Sequence, residues 1–217
     1  MAHITKCVGL ALLATCALFA LAASPAGAAT LQAESYPATL VGEQGTEEQH
    51  VFTFEGSNSL SCEEANFTGE LTEASTSFTV SPEYSGCTAF GFSATVDMNG
   101  CDYVYTIGEP IEEGYEGSMD IVCPEGESIE IAAGTCGVEI ESQEAIFPII
   151  IIIVIPAGDA AAFLAGAAIG AAIGYWLKED GFLCPANGTG KKTGKFDGGT
   201  DVHGYTESEE EQDLSIE

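Results

Sequence analysis

The chain has 217 residues, with 34 Asp and Glu against five Lys, no Arg, and a formal charge of −29. So acidic a chain offers no cationic surface to displace counterions from phosphates, which excludes a nucleic-acid binder. It also argues against docking on anionic lipid headgroups. It fits the solubility of an exported protein better than a defined cation site, since no ligand spacing selects one.

Residues 1–29 read as a signal peptide. Lys6 supplies a positive start, residues 8–23 an apolar run, and Ser24-Pro25-Ala26-Gly27-Ala28-Ala29 a small-residue cleavage zone. Cleavage after Ala29 removes Cys7 and Cys16 and leaves Cys62, Cys87, Cys101, Cys123, Cys136 and Cys184. An even number of cysteines in an exported chain reads as three disulfides. No CxxC is present and His is sparse, so a structural zinc site is not expected.

Residues 30–143 form the expected exported acidic β domain. Short β-rich runs recur between turns, among them HVFTF at 50–54, ANFTGELT at 65–72, SFTVSPEY at 77–84 and CDYVYTIG at 101–108. This spacing predicts an antiparallel β-sandwich or barrel, and the sandwich is the expected fold class. Asn99-Gly100 predicts a type I′ hairpin, because both residues tolerate positive φ. That turn would pair Met98 with Cys101, Val96 with Tyr103 and Ala94 with Tyr105, all on one face. Period 2 also turns Met119, Ile121 and Cys123 inward together, and Cys136, Val138 and Ile140 together. Folding 65–72 on 77–84 about Ala74 and Ser75 sets Cys62 opposite Cys87. Folding 101–108 on 117–123 about Glu112 sets Cys101 opposite Cys123. Each such bridge would stabilise by roughly 3 kcal/mol on the chain-entropy model. Elimination leaves Cys136 with Cys184.

Residues 179–217 read as a Cys184-containing β appendage or tail, with 207–217 disordered or a short edge strand. The elements YSGCTAFG at 84–91, MNGC at 98–101, IVCP at 121–124 and DGFLCP at 180–185 together carry a resemblance. They resemble small secreted cysteine-containing β proteins of actinobacteria, most without an assigned function. The resemblance implies that Cys184 belongs to the exported domain, and it carries over no catalytic residue. Such a chain would have ordinary strands between these blocks, where this one has an apolar stretch.

That stretch, 144–178, has two parts. Residues 149–155 are seven β-branched residues, too few to span a membrane as a helix and suited to a buried strand. After a Pro156-Ala157-Gly158-Asp159 break, residues 160–177 are apolar or small throughout and predict a helix, with Asp159 as its cap. Gly166, Gly170 and Gly174 would line one face of it, as in closely packed membrane helices. Tyr175 and Trp176 would mark an interface, with Lys178 beyond. Three readings follow: a transmembrane helix with a cytoplasmic tail; a core strand followed by a helix packed without spanning; or a misread gene segment replacing ordinary strands.

Motifs for catalysis are missing: there is no GxSxG, HExxH or P-loop. Asp197-Gly198-Gly199-Thr200-Asp201 faintly resembles a calcium turn but occurs once. His50 follows Glu47 and Glu48 and reads as a surface histidine. Tyr84, Tyr103, Tyr105 and Tyr115 read as packing and rim residues rather than a sugar platform. Asn66-Phe67-Thr68 and Asn187-Gly188-Thr189 fit the sequon but read as turns. No cofactor, metal or catalytic residue is expected, and the chain is not expected to be an enzyme. The expectation is an exported, non-catalytic structural or interaction module of the cell envelope, membrane-associated through 160–177. The alternatives are a membrane-active or self-assembling protein using the glycine stripe, and a secreted hydrolase with an unrecognised carboxylate pair.

Overall fold

Alternation of apolar and polar residues governs nearly the whole chain, and the computed structural model is correspondingly built of strands. It describes residues 29–45, 49–54, 58–156, 161–179 and 189–217, apart from the side chains of Phe147 and Glu179. Among them there are 17 strands and no helix. In chain order they are β1 Leu31–Ala33, β2 Ala38–Gln44, β3 Val51–Thr53, β4 Ser59–Ser61, β5 Glu64–Leu71 and β6 Ser77–Ser85. Next come β7 Cys87–Ala89, β8 Phe92–Asp97, β9 Asp102–Ile111, β10 Gly114–Val122, β11 Ile129–Ala133 and β12 Cys136–Ile140. The chain closes with β13 Gln143–Val154, β14 Phe163–Glu179, β15 Gly190–Tyr205, β16 Glu211–Gln212 and β17 Leu214–Ile216.

The long strands β14 and β15 pair antiparallel from Leu164 with Val202 to Leu177 with Gly190, and everything else is hung on them. The first half of β14 pairs with β13, and its end pairs with β12. The far half of β15 pairs with β2, and its middle with β3. The pairings therefore close on themselves twice. One ring runs β15, β2, β5, β6, β9, β10, β13, β14; the other runs β14, β12, β11, β8, β7, β4, β3, β15. Closure removes the edges that would otherwise invite another chain. β1 pairs with β17, joining Thr30 to Glu217 by backbone hydrogen bonds.

The inward faces make one core. Leu40, Phe67, Met119, Ile151 and Leu164 fill the first ring; Phe52, Ile131, Val138, Tyr175 and Leu177 fill the second. Outward positions such as Glu43, Glu70, Glu83, Glu116 and Glu130 are exposed. Mainly β architecture and antiparallel pairing follow the sequence expectation.

The helix expected over 160–177 is replaced by β14. Ala-rich sequence favours helix locally, but tertiary context decides. The β-branched run of β13 must be a strand, and a core strand needs a partner on each edge. β10 covers one edge and β14 the other, with Ile151 opposite Gly166 and Ile153 opposite Leu164. The outer face of β14 carries small residues such as Ala172 and Gly174 together with the exposed Ile169 and Trp176. No helix among the described residues is long and apolar enough to cross a membrane. The three glycines share no face. Gly166 faces the first ring's interior, Gly170 sits in a bulge at φ 64°, and Gly174 faces out. At Gly174 the backbone N–H donates to Gln143 Oε1 at 2.6 Å, and Gln143 Nε2 donates to its carbonyl at 2.8 Å.

The Asn99-Gly100 turn forms, with φ of 47° and 76° and the Cys101 N–H donating to the Met98 carbonyl at 2.7 Å. The expected hairpin does not. β8 pairs with β7 and β11, while β9 pairs with β6 and β10, so the two strands part into different rings. Their inward faces are as alternation demands, with Ala94, Cys101 and Tyr103 buried. The 179–217 segment is no appendage: β15 is half of the central strand pair, and the short strands β16 and β17 occupy 207–217, where a disordered end or a short edge strand is expected.

Cys62 is bonded to Cys87 and Cys101 to Cys123. Cys136 is also disulfide-bonded. Cys184 and the expected signal peptide, except Ala29, lie outside the described residues.

Candidate functional site

The two rings meet at a seam, and the polar groups of the interior gather there. His50 stands between β2 and β3. Continuing the period 2 of β3 backwards places His50, Phe52 and Phe54 inward together, and all three are buried. The imidazole enters the core because β15 leaves it room: a Cβ at Gly198 would lie 2.6 Å from His50 Cδ2. The Asp197-Gly198-Gly199-Thr200-Asp201 segment is thus a notch for a histidine. Its Asp197 carboxylate accepts from the Gly170 N–H at 2.7 Å, capping the bulge in β14. No group of three metal-ligating side chains occurs among the described residues.

His50 Nε2 lies 2.9 Å from the Gly199 carbonyl and 3.0 Å from Thr200 Oγ1. A carbonyl only accepts, so Nε2 carries the proton. Nδ1 is then a bare acceptor, and it is buried without a hydrogen-bond partner. Burial lowers the pKa to about 4 against the partly opposing Gly199 bond, so the ring is neutral at physiological pH.

Around the imidazole stand Phe196 in edge contact at 5.3 Å, Phe67 at 5.5 Å and Tyr84 at 6.0 Å between ring centres. Tyr84 and Tyr103 share a hydroxyl–hydroxyl hydrogen bond of 3.2 Å. Burial raises both phenols, Tyr103 to about 12 and Tyr84 well above its ordinary value. Tyr105, stacked on Phe78 at 5.3 Å, is also raised, again by burial first. The expected packing tyrosines Tyr84, Tyr103 and Tyr105 thus converge on one interior; Tyr115 lies on β10 beside Ile151 instead.

Two cavities of about 40 Å³ each adjoin this cluster, one in each ring. His50, Tyr103 and Phe196 line both of them. The rest of the lining is almost wholly apolar, with Met119, Ile149 and Leu164 in the first and Leu60, Ile131 and Ile173 in the second. An interior of eight strands has room for its own side chains or one small ligand. His50, Tyr84, Tyr103 and Tyr105 are held neutral by burial, so this cluster offers hydrogen bonds and apolar contact rather than charge. His50 is the correction to the sequence reading, which placed it at the surface. Compared with protein-family models, curated proteins and solved structures, the chain matches none.

Proposed function

We propose that the protein is an exported, non-catalytic interaction module that works in an oxidising compartment at or outside the cell envelope. The observation that carries this reading is the placement of the disulfides. Cys62 lies between β4 and β5, Cys87 follows β6, Cys101 lies between β8 and β9, and Cys123 follows β10. All four are points where the chain leaves one ring for the other. Such cross-links pin the seam, and they persist only where thiols are kept oxidised. The acidic outward faces and apolar interior support an aqueous setting; a strand barrel in lipid has the reverse arrangement. Neutral imidazole and phenols in a closed core support binding over catalysis. Association with a membrane through a helix at 160–177, and self-assembly on its glycine stripe, fall with that helix.

Expression of the chain with and without residues 1–29, followed by fractionation and non-reducing peptide mapping, tests the reading. The expected result is export of the longer form with Cys62–Cys87 and Cys101–Cys123 peptides intact. Retention in the cytoplasm with free thiols at these positions would contradict it.

A further inference from the structure

We propose that the outer face of β14, with β13 and β15 beside it, is a self-association surface that takes a second copy of this chain. The inference goes beyond the module reading, does not depend on export and uses no glycine stripe. Inward positions of these strands fill the core, so their alternates face out. On β13 and β14 the alternates include Ile150, Ile152, Ala165, Ala167, Ile169 and Ala172, without a charge among them. Ile169 is 62% exposed, at the middle of the face. A contiguous apolar face on a soluble surface marks an interaction site. Acidic side chains resume at its rim, as at Glu116 opposite Ile150. A chain of formal charge −29 repels its copies wherever acidic faces approach within a Debye length of about 8 Å. The β14 face lets two copies touch without setting carboxylates against carboxylates.

The charges along β15 identify the occupant. Lys191 and Lys195 are exposed toward one end, opposite Trp176 and Ala172. Toward the other end Asp201 lies opposite Ala165 on β14 and Glu43 on β2. Two carboxylates directly opposite across strands are destabilising unless a cation joins them. None of Lys191, Lys195, Asp201 and Glu43 makes an ion pair among the described residues. The other charges here are engaged: Glu139 with Lys178, Glu141 with Trp176 Nε1, and Asp197 with the Gly170 N–H. A two-fold axis lying between two such faces, and crossing the strands at the Ala168–Gly198 pair, lays β14 on β14 and β15 on β15 in reverse. Lys195 and Asp201 are equally far along β15 from Gly198. Each Lys195 therefore faces the second copy's Asp201, and the two Ile169 side chains meet near the axis. Such an interface is isologous, with each contact made twice. β14 and a neighbour on each side present roughly 600 Å², from about 4.8 Å between strands and about 3.3 Å per residue. Two faces bury about 1,200 Å², the lower end for specific complexes, so the expected Kd is on the order of micromolar.

Sedimentation equilibrium of the purified, disulfide-bonded protein, at concentrations bracketing that Kd, should show a monomer–dimer equilibrium. Ile169→Asp, at an exposed position outside the core, should weaken it by at least about tenfold, through desolvation of a charge at the centre of the interface. Lys195→Glu and Asp201→Lys should each weaken it by roughly tenfold, since each change acts twice. The double variant should return to within a few-fold of the native Kd, because the pair is re-formed with its signs exchanged. That recovery also shows that the single variants fold. A monomer at every concentration would overturn the proposal, including one that binds phosphatidylglycerol vesicles, which would assign the face to a lipid surface. So would a dimer indifferent to Ile169→Asp, or a double variant as weak as its singles.

Discussion

His50 concentrates the chemistry of the interior in one residue. Its ordinary pKa of 6.5 falls to about 4 because burial penalises the charged ring, with Gly199 pulling the other way. The unfolded chain therefore binds the proton first as pH falls. Stability is full above pH 6.5 and declines between 6.5 and 4, by about 3 kcal/mol from this group. An NMR titration of the His50 ring protons should find the imidazole still neutral at pH 5; a midpoint near 6.5 would refute the burial. The alternation that places His50 inward is legible in HVFTF, since His50, Phe52 and Phe54 alternate with Val51 and Thr53. Its surroundings are not legible. The notch at Gly198 and Gly199 lies about 150 residues away, and the pairing of β15 with β2 and β3 brings it near. Acidic neighbours at Glu47 and Glu48 point instead to the surface.

Among the elements, the β14–β15 pair is where local and tertiary preferences conflict. Glycine spacing of four suits a helix face, yet in a strand with one bulge it scatters the three residues. The signal for the strand was present in Ala171, Ile173, Tyr175 and Leu177, which alternate inward. It was masked by outer-face residues that are mostly small or apolar, such as Ala172, Gly174 and Trp176, rather than polar. Glycines on the pair differ in what they tolerate. At Gly194 a Cβ would collide with the Phe52 ring and approach the Thr53 carbonyl, whereas Gly166 faces open space. Gly194→Ala should cost about 2 kcal/mol through overpacking, while Gly166→Ala should be neutral or slightly stabilising. Urea unfolding of both variants checks this contrast, and equal effects would place these residues elsewhere. The register of the β5–β6 and β9–β10 pairs, by comparison, was readable from the sequence alone. Folding about Ala74 and Ser75 puts Ala65 opposite Tyr84, and folding about Glu112 puts Tyr103 opposite Ile121.

At the scale of the whole molecule, the apolar stretch is a structural part of a closed β architecture. Ring closure was beyond sequence reasoning, because it depends on β14 and β15 each dividing one edge between two partners. The Asn99-Gly100 turn shows the same limit: local chemistry set its conformation, and distant strands decided what its arms pair with. The cross-links at the seam, each worth roughly 3 kcal/mol, then hold together rings that share one core. All of this stands on residues 163–179 being a strand between β13 and β15. Backbone NOEs in the oxidised protein test that most directly. The structure predicts cross-strand contacts from Ala165 to Ile152 on one side and to Asp201 on the other. Sequential helical contacts between residues three apart along 163–177, without those cross-strand contacts, would contradict it.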